Sequence, residues 1–134
     1  MATAKRVAYF KAKIADQPGA MLALVKGLKA KNIGLISLKG IGQGGYGEIL
    51  AVAKNPDELR SEWLSSGALV EEGSAIYFSG ADKTGALLTS LEAVERAGVN
   101  IVAIEAVVAG AQYGTVLWVA PADMDKTAQA LGIN

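Results

Sequence analysis

The chain of 134 residues has no cysteine and no histidine. Without cysteine there is no disulfide, no thiolate metal site and no thiol nucleophile. Without histidine the commonest general base and the commonest metal ligand are missing. A Ser-His-Asp triad and a His-based zinc site are excluded, so any catalysis would rest on Lys, Asp, Glu or Tyr. An enzyme is not expected, and neither is a cofactor or a metal. Proline occurs three times. There is no run of 18 apolar residues, so no membrane span is expected. The basic start, Met1 to Arg6, leads into no signal-type apolar segment, since Lys11 and Lys13 interrupt the apolar run after it. Formal net charge is zero, which argues against a nucleic-acid partner. The lack of cysteine fits a reducing cytoplasm, the expected location.

What the chain does have is 51 % apolar residues, enough for one core or two small ones. Its charges are segregated. Residues 1–67 carry ten Lys/Arg against five Asp/Glu, and residues 68–134 carry three against eight. Either two duplicated halves have drifted apart, or the halves attract, within a chain or between chains.

Duplication has direct support. Asp16-Gln17-Pro18-Gly19-Ala20-Met21-Leu22 returns 66 residues later as Asp82-Lys83-Thr84-Gly85-Ala86-Leu87-Leu88. At that offset positions 16–38 hold four identities and seven apolar-for-apolar exchanges, and two repeats of this length suggest duplication rather than a solenoid.

The first half reads β-α-β-β-α-β. Val7 to Ile14 is a strand, and Asp16-Gln17-Pro18-Gly19 starts a helix with Pro18 at its first position and Asp16 accepting from free amides. Met21, Leu24, Val25 and Leu28 share a helix face, and Asn32 suits a left-handed end. Ile33–Ile41 and Tyr46–Ala53 form a hairpin across a glycine-rich turn. Asn55-Pro56-Asp57-Glu58 opens a second helix, with Leu59 and Trp63 on one face and Gly67 at its end. Ala68-Leu69-Val70 is a short strand, and Glu71-Glu72-Gly73 the expected joint.

The second half repeats the order. A strand at Ala75–Phe78 precedes a helix beginning at Asp82–Thr84 and carrying Leu87, Leu88, Leu91 and Val94. Strands come next at 99–108 and 113–119. A last helix starts at Pro121 and bears Met124, Ala128 and Leu131. Only three residues lie beyond Leu131, so this half lacks its final strand, and its sheet edge is open or covered by another strand. The expected domains are 1–72 and 73–134.

Gly40-Ile41-Gly42-Gln43-Gly44-Gly45 matches G-x-G-x-x-G, but a dinucleotide site needs a helix next, and Tyr46 to Val52 reads as strand. A hairpin loop is the better account, with a lid over a ligand the lesser one. Tyr9-Phe10 and Tyr77-Phe78 are consecutive pairs, so one ring of each faces either side, and core packing explains them better than base stacking. Core filling is also the default for Trp63 and Trp118. The two D-x-x-G turns are either corners or ligand sites. A helix N-terminus offers unpaired amides and partial positive charge to a carboxylate, and glycine lets it approach.

Asp16-x-Pro18-Gly19-Ala20-x-Leu22 with Asn32-Ile33-x-Leu35-Ile36-x-Leu38 resembles the ACT domain. Asp82-x-Thr84-Gly85-Ala86-x-Leu88 with Gly98-Val99-Asn100-Ile101 resembles a second one. The resemblance implies an α+β fold of two ferredoxin-like βαββαβ repeats, in an extended antiparallel sheet with helices on one face. It also implies a free-standing tandem ACT regulatory protein that binds an amino acid or similar small carboxylate near a domain or dimer interface. The positions carried over are Asp16, Gln17, Gly19, Ala20, Met21, Ser37 and Leu38, with Ile36 beside them. In the second copy they are Asp82, Thr84, Gly85, Ala86, Leu87, Asn100 and Val102. A homodimer and a regulated enzyme are the implied partners. The alternative is a protein–protein interaction module with no small ligand.

Overall fold

A computed structural model describes residues 3–133. Its elements are β1 (Thr3–Ala15), α1 (Ala20–Ala30), β2 (Leu35–Gly42), β3 (Tyr46–Ala53), α2 (Pro56–Ser66), β4 (Leu69–Ala81), α3 (Leu88–Arg96), β5 (Ile101–Ala109), β6 (Gln112–Val119) and α4 (Met124–Ala130). A single 3-10 turn, Pro121–Asp123, leads into α4. No strand comes after α4 among the described residues. The chain divides into two compact units, Ala8–Gly73 and Met1–Val7 with Ser74–Asn134. Both 13-residue strands, β1 and β4, pass from one unit into the other.

In the first unit, Ala8–Gly73, the strand order is β2-β3-β1-β4. β2 and β3 form the expected hairpin, from Leu35↔Ala53 to Gly42↔Gly47. β1 pairs β3 from Phe10↔Ala51 to Ala15↔Tyr46. β4 begins beside β1, where the Lys13 amide donates to the Ala68 carbonyl at 3.3 Å. Period-two alternation puts Phe10, Ala12, Ile49, Ala51 and Ala53 on one face. Leu28 of α1 and Leu59 and Trp63 of α2 pack on that face. Each such large apolar side chain contributes about 1.5–3 kcal/mol on burial. α2 is built as its residues dictate. Asn55 accepts from the Glu58 amide at 3.4 Å, Pro56 is the first helical residue, and Gly67 closes the helix in the left-handed conformation. Asn32 ends α1 at φ 56°, as expected of a residue that tolerates this region.

In the second unit the order is β1-β4-β6-β5. β6 pairs β4 from Ile76↔Leu117 to Ala81↔Gln112 and pairs β5 from Ile101↔Val119 to Ala109↔Gln112. Ile76, Phe78, Tyr113, Leu117 and Val119 form the strand side of the core. Val94 of α3 and Met124 and Ala128 of α4 cover it. The free side of β4 is occupied by the start of β1. There Ala4 packs on the core, and the Lys5 ammonium lies 5.8 Å from the centroid of the Tyr77 ring. Arg6 donates to Asp125 of α4 at 3.0 Å. No strand after α4 lies beside β4 among the described residues, and Ala4 to Arg6 of β1 stand there instead.

The expected joint at Glu71-Glu72-Gly73 is not a loop. It lies inside β4, and the two short strands expected on its flanks are one strand. The reason is lateral. Glu71 accepts from the Tyr9 hydroxyl at 2.7 Å and lies 3.5 Å from the Lys11 ammonium. Glu72 accepts from the Arg60 guanidinium at 2.8 Å. Partners on neighbouring elements hold extended a segment whose own composition suggests a linker. Gly73 has a packing reason as well, since a Cβ there would stand 2.9 Å from the Tyr9 ring.

Candidate functional site

The first D-x-x-G turn joins β1 to α1. Gly19 flanks the helix at φ 89°, a left-handed conformation that glycine adopts without strain. Pro18 lies in the turn ahead of it, not at the first helical position, and Asp16 does not cap the helix. The Asp16 carboxylate lies instead against β2, where a Cβ on Gly42 would meet its Oδ2 at 3.6 Å. The Ala20 amide donates back to the Gln17 carbonyl and the Ala23 amide to the Gly19 carbonyl. Those of Met21 and Leu22 find no acceptor among the described residues. Two donors are thus left unspent at this helix start.

The strand facing this turn is β2. Leu38 is opposite Ala51 and packs with the first-unit core, while Ser37 pairs with Val52 after a bulge that begins at Leu35. Gly40 and Gly42 share the face of Leu38. The Met21 side chain lies over Gly40, and a Cβ there would meet its terminal methyl at 2.7 Å. The glycines of the G-x-G-x-x-G stretch thus divide into two kinds. Gly40 and Gly42 make room on a strand for Met21 and Asp16, whereas Gly44 and Gly45 supply positive φ in the hairpin turn. Of the first seven carried-over residues, Asp16, Met21 and Leu38 come together on this face. Gln17, Gly19 and Ala20 form the turn beside them, and Ser37 belongs to the other face of β2.

The second turn has a matching sequence and another structure. Asp82 is tied to the β5–β6 connection, its amide donating to the Ala111 carbonyl at 2.8 Å. The expected helix start at Asp82–Thr84 is displaced, and α3 begins only at Leu88. Residues 84–87 form turns instead, with the Ala86 amide donating to Lys83 at 2.9 Å and that of Leu88 to Gly85 at 3.0 Å. Proline pre-sets φ just before the glycine of the first copy, whereas Thr84 does not in the second. Here too the helix has no side-chain cap, and the amides of Thr89 and Ser90 find no acceptor among the described residues. Leu87 packs into the second-unit core. Asn100 and Val102 are exposed, and the helix-side face of β5 that matches Leu38, Gly40 and Gly42 carries Ile104, Ala106 and Val108, all exposed.

Of the carried-over residues in the second copy, Ala86 lines a cavity. It has a volume of about 390 Å³ and lies among the end of β4, the starts of β1 and α3, β6 and the end of α4. Lys83, Thr89, Ser90 and Tyr113 supply its polar groups. None of them was selected from the sequence. Lys83 sits inside the repeated turn, and Tyr113 opens a Tyr-Gly pair that Tyr46-Gly47 also forms in the first half. Among the described residues no three His, Cys, Asp or Glu side chains gather into a metal site. No helix of the described residues is long and apolar enough to cross a membrane.

No family model matches the sequence, and none of the curated proteins does. The fold, by contrast, has solved counterparts. A protein of Bacteroides thetaiotaomicron aligns at TM-score 0.85 and 19 % identity, covering 96 % of this chain and 88 % of its own. The regulatory subunit of aspartate kinase from Thermus thermophilus aligns at TM-score 0.66 and 12 % identity, covering 98 % and 94 %. A putative C-terminal regulatory domain of aspartate kinase from Porphyromonas gingivalis aligns at TM-score 0.60 and 13 % identity, again covering 98 % and 94 %. At such identities the likeness is one of fold. It is an α+β fold that these aspartate kinase regulatory proteins share.

Proposed function

We propose that the chain is a non-catalytic tandem ACT regulatory protein of two βαββαβ repeats, responding to a small amino acid bound at its strand-to-helix turns. The observation that carries this reading is the pair of uncapped helix starts. Each comes after a left-handed glycine, Gly19 or Gly85, and each leaves two backbone amides without an acceptor among the described residues. Such amides suit an α-carboxylate. The first turn, with Asp16 beside it, also offers a partner for an α-ammonium. Solved proteins of the same fold include regulatory subunits of aspartate kinase, which supports a regulatory role. A cytoplasmic homodimer with a regulated enzyme as partner completes the proposal.

Thermal unfolding of the full chain against each of the twenty amino acids tests it. A ligand at about 100 times its Kd adds about 2.7 kcal/mol by linkage. The expected result is one amino acid, or a few similar ones, raising Tm, with the response lost in Gly19→Val or Gly85→Val. A flat response to all twenty at millimolar concentration overturns the amino-acid reading.

A further inference from the structure

We infer that the second unit holds a separate binding site for a small organic monoanion, a monocarboxylate with a short apolar body, in the cavity between α3 and α4. The inference does not rest on the amino-acid reading of the turns. A volume of about 390 Å³ falls in the range of small-molecule sites, about 300–1,000 Å³, and far exceeds the roughly 150 Å³ that accommodates benzene in an engineered cavity.

The space exists because the side chains around it are short. Ala81, Ala86, Ala93 and Ala130 stand on four sides, on β4, the turn after it, α3 and α4. Gly80 belongs to the same device. A Cβ there would stand 3.0 Å from the ring of Tyr113 and 3.3 Å from its hydroxyl oxygen, so glycine lets that ring lie across β4. An apolar ligand body has alanine methyls and an aromatic ring to rest on.

The polar groups are few and of one character. Among the described residues, Lys83 is the only charged one lining the cavity, and no Asp or Glu lines it. Thr89 and Ser90 present hydroxyls from the first turn of α3, where their own amides are unspent. Tyr113 is 6 % exposed and lines the cavity, and a tyrosine hydroxyl can donate to an anion. Cation, hydroxyls and helix start all favour a negative group. The charge of the ligand follows from Lys83, which stands in the lining with no Asp or Glu beside it among the described residues. An amino acid would have to desolvate its ammonium with nothing to neutralise it, a cost that a simple monocarboxylate avoids.

The test is calorimetric titration of the full chain with benzoate, hexanoate, inorganic phosphate and leucine. Benzoate or hexanoate is expected to saturate one site with Kd below about 1 mM, a modest affinity for a ligand of this size. Lys83→Met should weaken binding at least about tenfold, the scale of one charge-assisted contact. Ala93→Leu should abolish binding by filling the cavity, and Tyr113→Phe should weaken it a few-fold. Circular dichroism checks that each variant is folded. Lys83 is exposed, so its variant keeps the test decisive if Ala93→Leu fails to fold. The inference is overturned if neither carboxylate binds, if Lys83→Met binds as wild type does, or if leucine displaces benzoate competitively. Its fate is separable from that of the amino-acid reading. A Tm response to an amino acid that survives Lys83→Met belongs to the turns, and carboxylate binding in a chain deaf to all amino acids belongs to the cavity.

Discussion

The two D-x-x-G turns share four of seven residues and come to different ends. After Gly19 the helix begins at once, Met21 folds onto Gly40, and the Asp16 carboxylate lies beside Gly42. After Gly85 the chain makes a further turn, so α3 starts two residues later than the repeat would place it. The β5 face that matches the glycines of β2 remains exposed, with Ile104, Ala106 and Val108 on it. The first turn is packed against its facing strand, and the second turn borders a cavity toward α4. Near-identical local sequences thus make one closed corner and one open one, because the closing contacts come from residues far along the chain. Gly40 and Gly42 receive side chains, while Ala106 and Val108 receive none.

The largest effects test how far the two cores are alike. Phe10 of β1 and Phe78 of β4 are each buried in the core of their unit, at 3 % and 1 % exposure. Phe10→Ala and Phe78→Ala should each cost about 3–5 kcal/mol in urea denaturation. A loss under about 1 kcal/mol at one of them would break the likeness of the cores. Next comes the contrast between the facing strands. Gly40→Val should cost about 1–3 kcal/mol by displacing Met21, whereas Ala106→Val, on an exposed face, should stay within about 0.5 kcal/mol. Equal costs would remove the distinction between closed and open corners. A smaller effect belongs to the glycines of the turns themselves. A Cβ on Gly19 or Gly85 meets nothing within 4 Å, so only backbone strain acts. Gly19→Ala and Gly85→Ala should then each cost about 1–2 kcal/mol, the preference of alanine against left-handed φ.

The smallest effect is a pH effect confined to the first unit. Burial, then the hydrogen bond to the Glu71 carboxylate and its charge, push the Tyr9 phenol up to about 12. The folded state therefore favours the protonated phenol. The stabilisation is complete below the ordinary tyrosine value near 10 and is lost as pH rises from there through about 12. Ultraviolet titration should show the Tyr9 phenol ionising at about 12. Glu71→Gln should bring that midpoint down, and an unchanged midpoint would refute the role of Glu71.

Much of the fold was legible because its signals are local. Asn55, Pro56 and Gly67 bound α2 as their cap chemistry requires, Asn32 ends α1, and the alternation of Phe10, Ala12 and Phe78 marks the core faces. The errors came where a distant partner outvotes local chemistry. Ala68-Leu69-Val70 and Ala75–Phe78 read as two short strands until Tyr9, Lys11 and Arg60 are seen beside Glu71 and Glu72, which join them into one. Asp16 reads as a cap until Gly42 is seen to leave it room on β2. The cavity was the least legible feature. Its alanines are ordinary one at a time, and only their meeting around Lys83 and Tyr113 makes a site.

The sequence by itself determined most of the order of elements and their faces, and it excludes the chemistry that histidine and cysteine would have allowed. These depend on residues within a turn or two of each other, where capping, φ preference and periodicity act. Only the tertiary structure decided that the first residues of β1 cover the free side of β4, that one repeated turn closes and the other stays open, and that a cavity lies between α3 and α4. Those outcomes depend on which side chains, from Ala4 to Leu131, fill or fail to fill a shared volume. Packing of that kind is a property of the assembled chain and is written in no single stretch of it.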